Sequence, residues 1–94
     1  MFEKLVSEEQ RYEDLMRLLG TTEVQSDSSE YRKHAKALAE LEPMIERYRE
    51  YKVVVHDIAQ TEELAAGGDT DMRDLAKEEL KGLVARRDAL IAEL

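Results

Sequence analysis

The candidate reactive side chains in this chain are two histidines and several groups of carboxylates. The sequence contains no cysteine. His34 and His56 lie 22 residues apart, and neither has a second histidine at helical spacing. A zinc site needs three or four converging ligands. We therefore interpret both as solvated or rim histidines. Without cysteine, neither a disulfide nor a thiolate metal site can form.

Acidic residues occur in adjacent pairs and in one short cluster. Neighbouring positions on a helix point about 100° apart, and nothing apolar surrounds the pairs to raise a pKa. The cluster faintly resembles a calcium loop, but it lacks the turn glycine and the closing glutamate. We interpret the pairs as solvated and the cluster as helix capping, and we expect no catalytic, cofactor-binding or metal-binding residue. The residues are Glu8 with Glu9, Glu62 with Glu63, Glu78 with Glu79, and Asp69, Asp71 and Asp74.

Two tyrosines alternate with cations, a pattern that suits stacking on bases or contact with an acidic partner. They are Tyr48 and Tyr51, interleaved with Arg47, Arg49 and Lys52. The alternative, which we favour, buries Tyr48 in a core and leaves Tyr51 half-buried.

Charge and composition exclude several classes of function. The 94 residues include 22 acidic and 14 basic side chains, for a net charge of −8. Such a chain repels a phosphate backbone, so we expect no direct sequence-specific nucleic-acid binding. No signal peptide and no membrane-spanning apolar run are recognisable, which favours a soluble cytoplasmic protein. The remaining basic groups are interpreted as solvated helix faces: Lys33, His34 and Lys36, then Arg47, Arg49 and Lys52, then Arg86 and Arg87.

The composition favours an all-α fold, with one proline, four glycines and 38% charged residues. A first helix is predicted over residues 2–19, although a later start near Glu8 competes with it. Gly20 is expected to end this helix in the left-handed conformation. The apolar stripe consists of Phe2, Leu5, Val6, Tyr12, Leu15, Met16 and Leu19.

The second helix is predicted over residues 28–66. Asp27 is expected to cap its first free amides, while Glu30 reaches back to the amide of Asp27. Pro43 lies in its middle and costs about 3 kcal/mol in a helix interior. Either the helix continues with a kink, or a new helix begins at Pro43. The stripe keeps its phase across Pro43, which favours the kink; its members are Tyr31, Ala35, Leu38, Leu41, Ile45, Tyr48, Val55, Ile58 or Ala59, and Leu64.

The third helix is predicted over residues 70–94. Gly67 and Gly68 end the second helix, and Asp69 caps the third. Its apolar positions alternate steps of four and three, as in a coiled-coil seam. The positions are Ala76, Leu80, Leu83, Arg87, Leu90 and Leu94, of which Arg87 alone is polar.

The predicted arrangement is a single domain over residues 1–94, an elongated three-helix antiparallel bundle or coiled coil with a long, Pro-kinked second helix. Short connections make each outer helix antiparallel to the central one. At 1.5 Å per residue the second helix is about 58 Å long, so each outer helix covers only part of it.

Two segments carry a resemblance to a known family: Leu41–Lys52, and Asp71–Leu80 in the third helix. With Met1–Leu5, Arg11-Tyr12 and Leu18-Leu19, in this order and spacing, they are similar to the N-terminal helical domain of bacterial class I peptide chain release factors. The similarity is greatest to the type that terminates at UAA and UAG. One departure is Gly20-Thr21-Thr22, where the family usually has Ser-Asp-Pro, which leaves the shape of the first loop open.

The resemblance implies an N-terminal fragment of a larger protein that acts in translation termination. The family's Pro-x-Thr and Gly-Gly-Gln tripeptides are absent, and Gly67-Gly68-Asp69 is interpreted as a capped turn. By resemblance, this non-enzymatic domain contacts a stalk-base protein of the large ribosomal subunit and the class II release factor GTPase. The alternative is a free-standing helical adaptor or self-associating coiled coil; a weak homodimer is left open. No residue is singled out for partner binding.

Overall fold

The computed structural model describes residues 2–94, and every regular element within that range is an α-helix. The all-α prediction is confirmed. The short second helix is an addition to the three predicted helices. The elements are α1 (Phe2–Leu19), α2 (Thr22–Gln25), α3 (Ser28–Ala66) and α4 (Thr70–Glu93).

The turn between α1 and α2 differs from the expected glycine cap. Gly20 does not have a positive φ. Instead, its amide donates to the Arg17 carbonyl at 3.1 Å, so the helix tightens in its last turn. Thr21 then closes both helices: its Oγ1 donates to the Leu18 carbonyl at 2.7 Å and accepts from the Val24 amide at 3.3 Å. The expectation of a left-handed Gly20 is therefore wrong, because the next helix starts at once.

The N-terminus of α3 is capped by Asp27, as predicted. Its Oδ1 accepts from the amides of Ser29 and Glu30, each at 3.1 Å. The reciprocal half of the capping box is replaced, because the Asp27 amide donates to the Val24 carbonyl. The Glu30 carboxylate contacts His34 at 3.3 Å.

Helix α3 runs without interruption through Pro43. Proline has no amide hydrogen, so the carbonyl four residues back, on Ala39, loses its helical partner. Ala39 and Pro43 are both exposed, so water can hydrate that carbonyl. The lost bond thus lies on the solvent side, and the helix need not restart. The bend expected at Pro43 stays a prediction.

The turn between α3 and α4 forms as the sequence predicts. Gly68 has a φ of +79°, a conformation that favours glycine. Asp69 follows as the N-cap, and its Oδ1 accepts from the Met72 amide at 2.9 Å. The Gly-Gly-Asp segment therefore ends one helix and begins the next.

The chain packs as two compact units: the first ends at Glu46, and the second covers Arg47–Leu94. The expectation of a single domain stays a prediction. In each unit one outer helix packs on a part of α3. The first core contains Leu15, Leu41 and Ile45, with Tyr12, Ala37, Leu38 and Met44 around it. The second contains Val54, Ile58 and Leu90, with Tyr51, Leu80, Leu83 and Val84 around it.

Packing corrects the apolar stripes at several positions. In α3 the buried valine is Val54, whereas Val55 is 38% exposed. Thr61 is buried and Leu64 is 50% exposed, so the smaller threonine faces the interior and the predicted leucine does not. Other predicted stripe members that are exposed are Phe2, Val6, Met16 and Tyr31. In α4 the predicted seam is confirmed, since all its members are buried or half-buried.

Gly68→Ala should destabilise the protein by about 1 kcal/mol, because alanine is strained at a positive φ. Gly67→Ala is the matched control: a Cβ there meets the Glu63 carbonyl oxygen at an ordinary 3.6 Å. Urea unfolding of the three proteins gives the comparison. Equal losses in both variants would contradict the left-handed turn.

Candidate functional site

The cations that made Tyr48 and Tyr51 a candidate binding site are engaged within the protein. Tyr48 is only 6% exposed, and the Lys52 Nζ lies 4.6 Å from the centre of its ring. Arg47 Nε lies 3.3 Å from the Glu93 carboxylate. Tyr51 is half-buried against the second core. The interpretation of Tyr48 as a core residue is confirmed.

The main polar contact between α3 and α4 joins Glu50 and Arg86. The guanidinium donates twice to the carboxylate, from Nε at 2.6 Å and from Nη2 at 2.8 Å. Two parallel bonds fix the relative orientation of the groups, which a single contact does not. Both side chains are nearly half exposed, so the pair contributes modestly to stability but selects one alignment of the helices.

The contacts of Glu50 and Arg47 show that the two helices of the second unit are antiparallel. Glu50 reaches Arg86, whereas Arg47, one turn earlier in α3, reaches Glu93, later in α4. Glu50 and Arg86 each lie 18 residues from Gly68, the left-handed residue of the turn. We call this segment, from Arg47 to Leu94, the α3–α4 hairpin.

The Glu50–Arg86 contact shifts both titrations. Hydrogen bonding by Arg86 lowers the pKa of Glu50 below its ordinary value, and the same bond raises the pKa of Arg86. A carboxyl with a lowered folded pKa contributes stability above its ordinary pKa. That contribution is lost as the pH falls through the lowered value.

The other sequence candidates also have structural roles or no converging partners. His34 contacts Glu30, and Arg87 contacts Asp88 beside it at 3.1 Å. Between residues 2 and 94 there is no group of three His, Asp or Glu side chains that could hold a metal ion. No helix in this same part of the chain is long and apolar enough to cross a membrane.

Sequence reasoning missed the contact between Glu50 and Arg86, because residues 36 positions apart carry no local signal. Their equal distance from Gly68 is a usable signal once an antiparallel hairpin is assumed. The Arg86 cluster was interpreted as a solvated face, whereas Arg86 donates two hydrogen bonds to Glu50 on the neighbouring helix. The consequence is that the double hydrogen bond selects one alignment for the surface of the α3–α4 hairpin.

Arg86→Gln should return the pKa of Glu50 to its ordinary value, because the double hydrogen bond is lost. The titration can be followed by NMR of the side-chain carboxyl carbons. Lys81→Gln is the matched control, since Lys81 pairs with Glu78 on its own helix at 3.0 Å. The stability difference between wild type and Arg86→Gln should also narrow as the pH falls through the wild-type Glu50 pKa. An unchanged Glu50 titration in Arg86→Gln would contradict this account.

Comparison with known proteins supports the family resemblance. The PCRF domain family matches residues 8–94. "Peptide chain release factor 1" of Solidesulfovibrio magneticus is 38% identical over 94 residues, which is all of this chain and 26% of the relative. The protein of that name from Carboxydothermus hydrogenoformans is 40% identical over 95 residues, covering all of this chain and 26% of the relative.

A third relative with the same name, from an Anaeromyxobacter species, is 42% identical over 83 residues, covering 88% of this chain and 22% of the relative. No solved structure matches. The chain spans about a quarter of the length of the curated relatives that it matches. It belongs to the PCRF domain family, and its resemblance to the N-terminal helical domain of class I peptide chain release factors is confirmed.

Proposed function

We propose that this chain is an accessory domain of a translation termination factor and works through protein contact rather than chemistry. The observation that carries the proposal is its similarity, over its whole length, to proteins named peptide chain release factor 1. By that resemblance, the parent protein terminates at UAA and UAG codons. Codon reading and peptidyl-tRNA hydrolysis then belong to parts of the protein outside these 94 residues.

The geometry of the candidate residues supports a non-enzymatic role. The Gly-Gly-Asp segment is used to reverse the chain and to cap α4. Arg47 and Arg86 are each paired with a carboxylate, and the Lys52 ammonium lies over the ring of Tyr48. What the α3–α4 hairpin offers a partner is therefore a helical surface held in a fixed alignment.

The proposed partners are the ribosome, through a stalk-base protein of the large subunit, and the class II release factor GTPase in the cytoplasm. A net charge of −8 argues against ribosomal RNA as the main contact. Interfaces below about 1,200 Å² are usually transient. The domain is tethered to a factor that is already held in the decoding site, which raises its effective concentration at the partner into the millimolar range. At that concentration even a weak contact is occupied.

A free-standing adaptor or self-associating coiled coil is the competing function. The seam-like spacing in α4 is the feature that favours it. That seam is occupied, however, because Leu83 and Leu90 take part in the core of the hairpin. A parent reading frame that continues into a Gly-Gly-Gln segment distinguishes the release-factor domain from the adaptor.

Deleting Met1–Leu94 from the longer parent protein should leave codon-specific peptide release largely intact and slow recycling by the class II GTPase. The reason is that the accessory domain adds contacts but no reactive group. Peptide release can be measured on ribosomes that are stalled at UAA and saturated with the factor. Recycling can be measured as the number of release events per factor molecule when the factor is limiting.

The isolated 94-residue chain is the control on the same ribosomes and should release no peptide. Loss of release after the deletion, in a protein that stays folded, would contradict the accessory role. Codon-dependent release by the isolated chain would contradict the assignment of the chemistry to other domains.

A further inference from the structure

Gly82 lies in the interior of α4, and the protein itself gives no reason for a glycine there. Apart from the backbone of its own helix, a Cβ at this position would meet no atom within 4 Å. Gly68 is the glycine with a positive φ, so the backbone at Gly82 does not require one. Glycine is also less favourable than alanine inside a helix. Its effect is a gap in the side-chain cover of α4, where another backbone can approach closely.

The ion pair of Glu50 and Arg86 identifies the side of the hairpin on which this gap lies. In an α-helix, positions 11 or 14 residues apart return to nearly the same side after about three or four turns. Leu75 lies 11 residues before Arg86, and Leu64 lies 14 residues after Glu50. Gly82 lies one turn before Arg86. All three therefore share the side on which the ion pair joins the two helices.

This side also carries exposed apolar side chains from both helices. Val53 follows Glu50 by three residues, and Met72 precedes Arg86 by 14. The exposed fractions are 59% for Val53, 50% for Leu64, 47% for Met72 and 69% for Leu75. On each helix the row is about 15 Å long, three turns of a helix. We call these four residues, with Gly82, the clamp face.

The clamp face lies in acidic surroundings. Residues 53–82, which include the whole face, contain eight acidic and three basic side chains. Asp71 and Glu79 lie one turn on either side of Leu75, and Asp57 lies two turns before Leu64. The nearby Arg86 is neutralised by Glu50. Charge complementarity therefore calls for a basic partner.

We propose that the clamp face binds a basic amphipathic helix of a protein partner, whose backbone passes over Gly82 while its apolar side chains contact Leu75 and Leu64. The proposal rests on the proposed function and adds the surface and the chemistry of the partner. A second copy of this chain, at a net charge of −8, has the wrong charge, and so has RNA. A helix of at least three turns fits the length of the face.

The test uses the 94-residue chain and a synthetic amphipathic helix of lysine and leucine, about 18 residues long or five turns. NMR shifts should change at Val53, Leu64, Met72, Leu75 and Gly82. A peptide with glutamate in place of lysine and a single-stranded RNA of about 20 nucleotides should not bind. Changes confined to another side of the hairpin, or equal binding of either competitor, would overturn the proposal.

Matched variants separate this face from the rest of the surface. Gly82→Leu should weaken binding of the lysine peptide about tenfold, and Val53→Glu should weaken it at high salt. Val55 lies on the opposite side of α3 and Ala85 on another side of α4, so Val55→Glu and Ala85→Leu are the matched controls. Ala85→Leu should leave the affinity within about twofold. Gly82→Leu should also raise the melting temperature by a few degrees, because leucine is more favourable than glycine inside a helix. The higher melting temperature would also show that the variant is folded.

Val53→Glu adds an anion to a face that binds cations, so its affinity change combines lost apolar contact with gained attraction. The salt dependence distinguishes the two: at high salt Val53→Glu should bind more weakly than wild type. Wild-type affinity in Gly82→Leu, or an equal effect of Ala85→Leu, would overturn the proposal.

Ribosomes provide the arm that separates this proposal from the proposed function. The parent protein with Gly82→Leu should lose the recycling that deletion of the domain also removes, while Ala85→Leu keeps it. If deletion impairs recycling and Gly82→Leu does not, the clamp face is wrong and the accessory function stands. If deletion has no effect on recycling, the proposed function is wrong, and the peptide-binding measurements alone test the clamp face.

Discussion

The structure depends on the continuity of α3 from Ser28 to Ala66. Leu41 and Ile45 of this helix belong to the first core, and Val54 and Ile58 belong to the second. A proline inside a helix costs about 3 kcal/mol, so this continuity opposes a local preference. The cost is tolerated because the carbonyl of Ala39, which loses its partner, is on an exposed turn, while Ile45 and Tyr48 are buried.

A fixed antiparallel alignment follows from this helix in the second unit, and it determines what the surface can do. Packing of Leu90 on Val54 and Ile58 supplies the apolar contact, and the double hydrogen bond of Arg86 to Glu50 selects one alignment. The same bond neutralises a cation that would otherwise attract nucleic acid. A hairpin in which Arg47, Lys52 and Arg86 are engaged, and whose exposed apolar residues lie in acidic surroundings, is suited to binding basic protein segments.

Much of the fold could be predicted from the sequence, because its signals are local. Asp27, Gly68 and Asp69 act within one helical turn, and the seam of α4 has an unambiguous spacing. The failures are positions where a local pattern admits two solutions. Among three successive valines, only packing selects Val54. Gly20 could end α1 in the left-handed conformation or in a tightened last turn. The hydrogen bonds of Thr21 to both helices favour the tightened turn. The candidate surface was not predictable, because it requires the alignment of α3 with α4.

The most direct test of this account is hydrogen exchange at the amides of Met44 and Ile45. In a helix that continues through Pro43, these amides donate to carbonyls one turn earlier, and they should exchange as slowly as the amide of Tyr48. In a helix whose first residue is Pro43, they would be among the first four amides, which have no helical partner. Slow exchange at both is the predicted result. Fast exchange at these two beside a protected Tyr48 would show that α3 is two helices and would contradict the account.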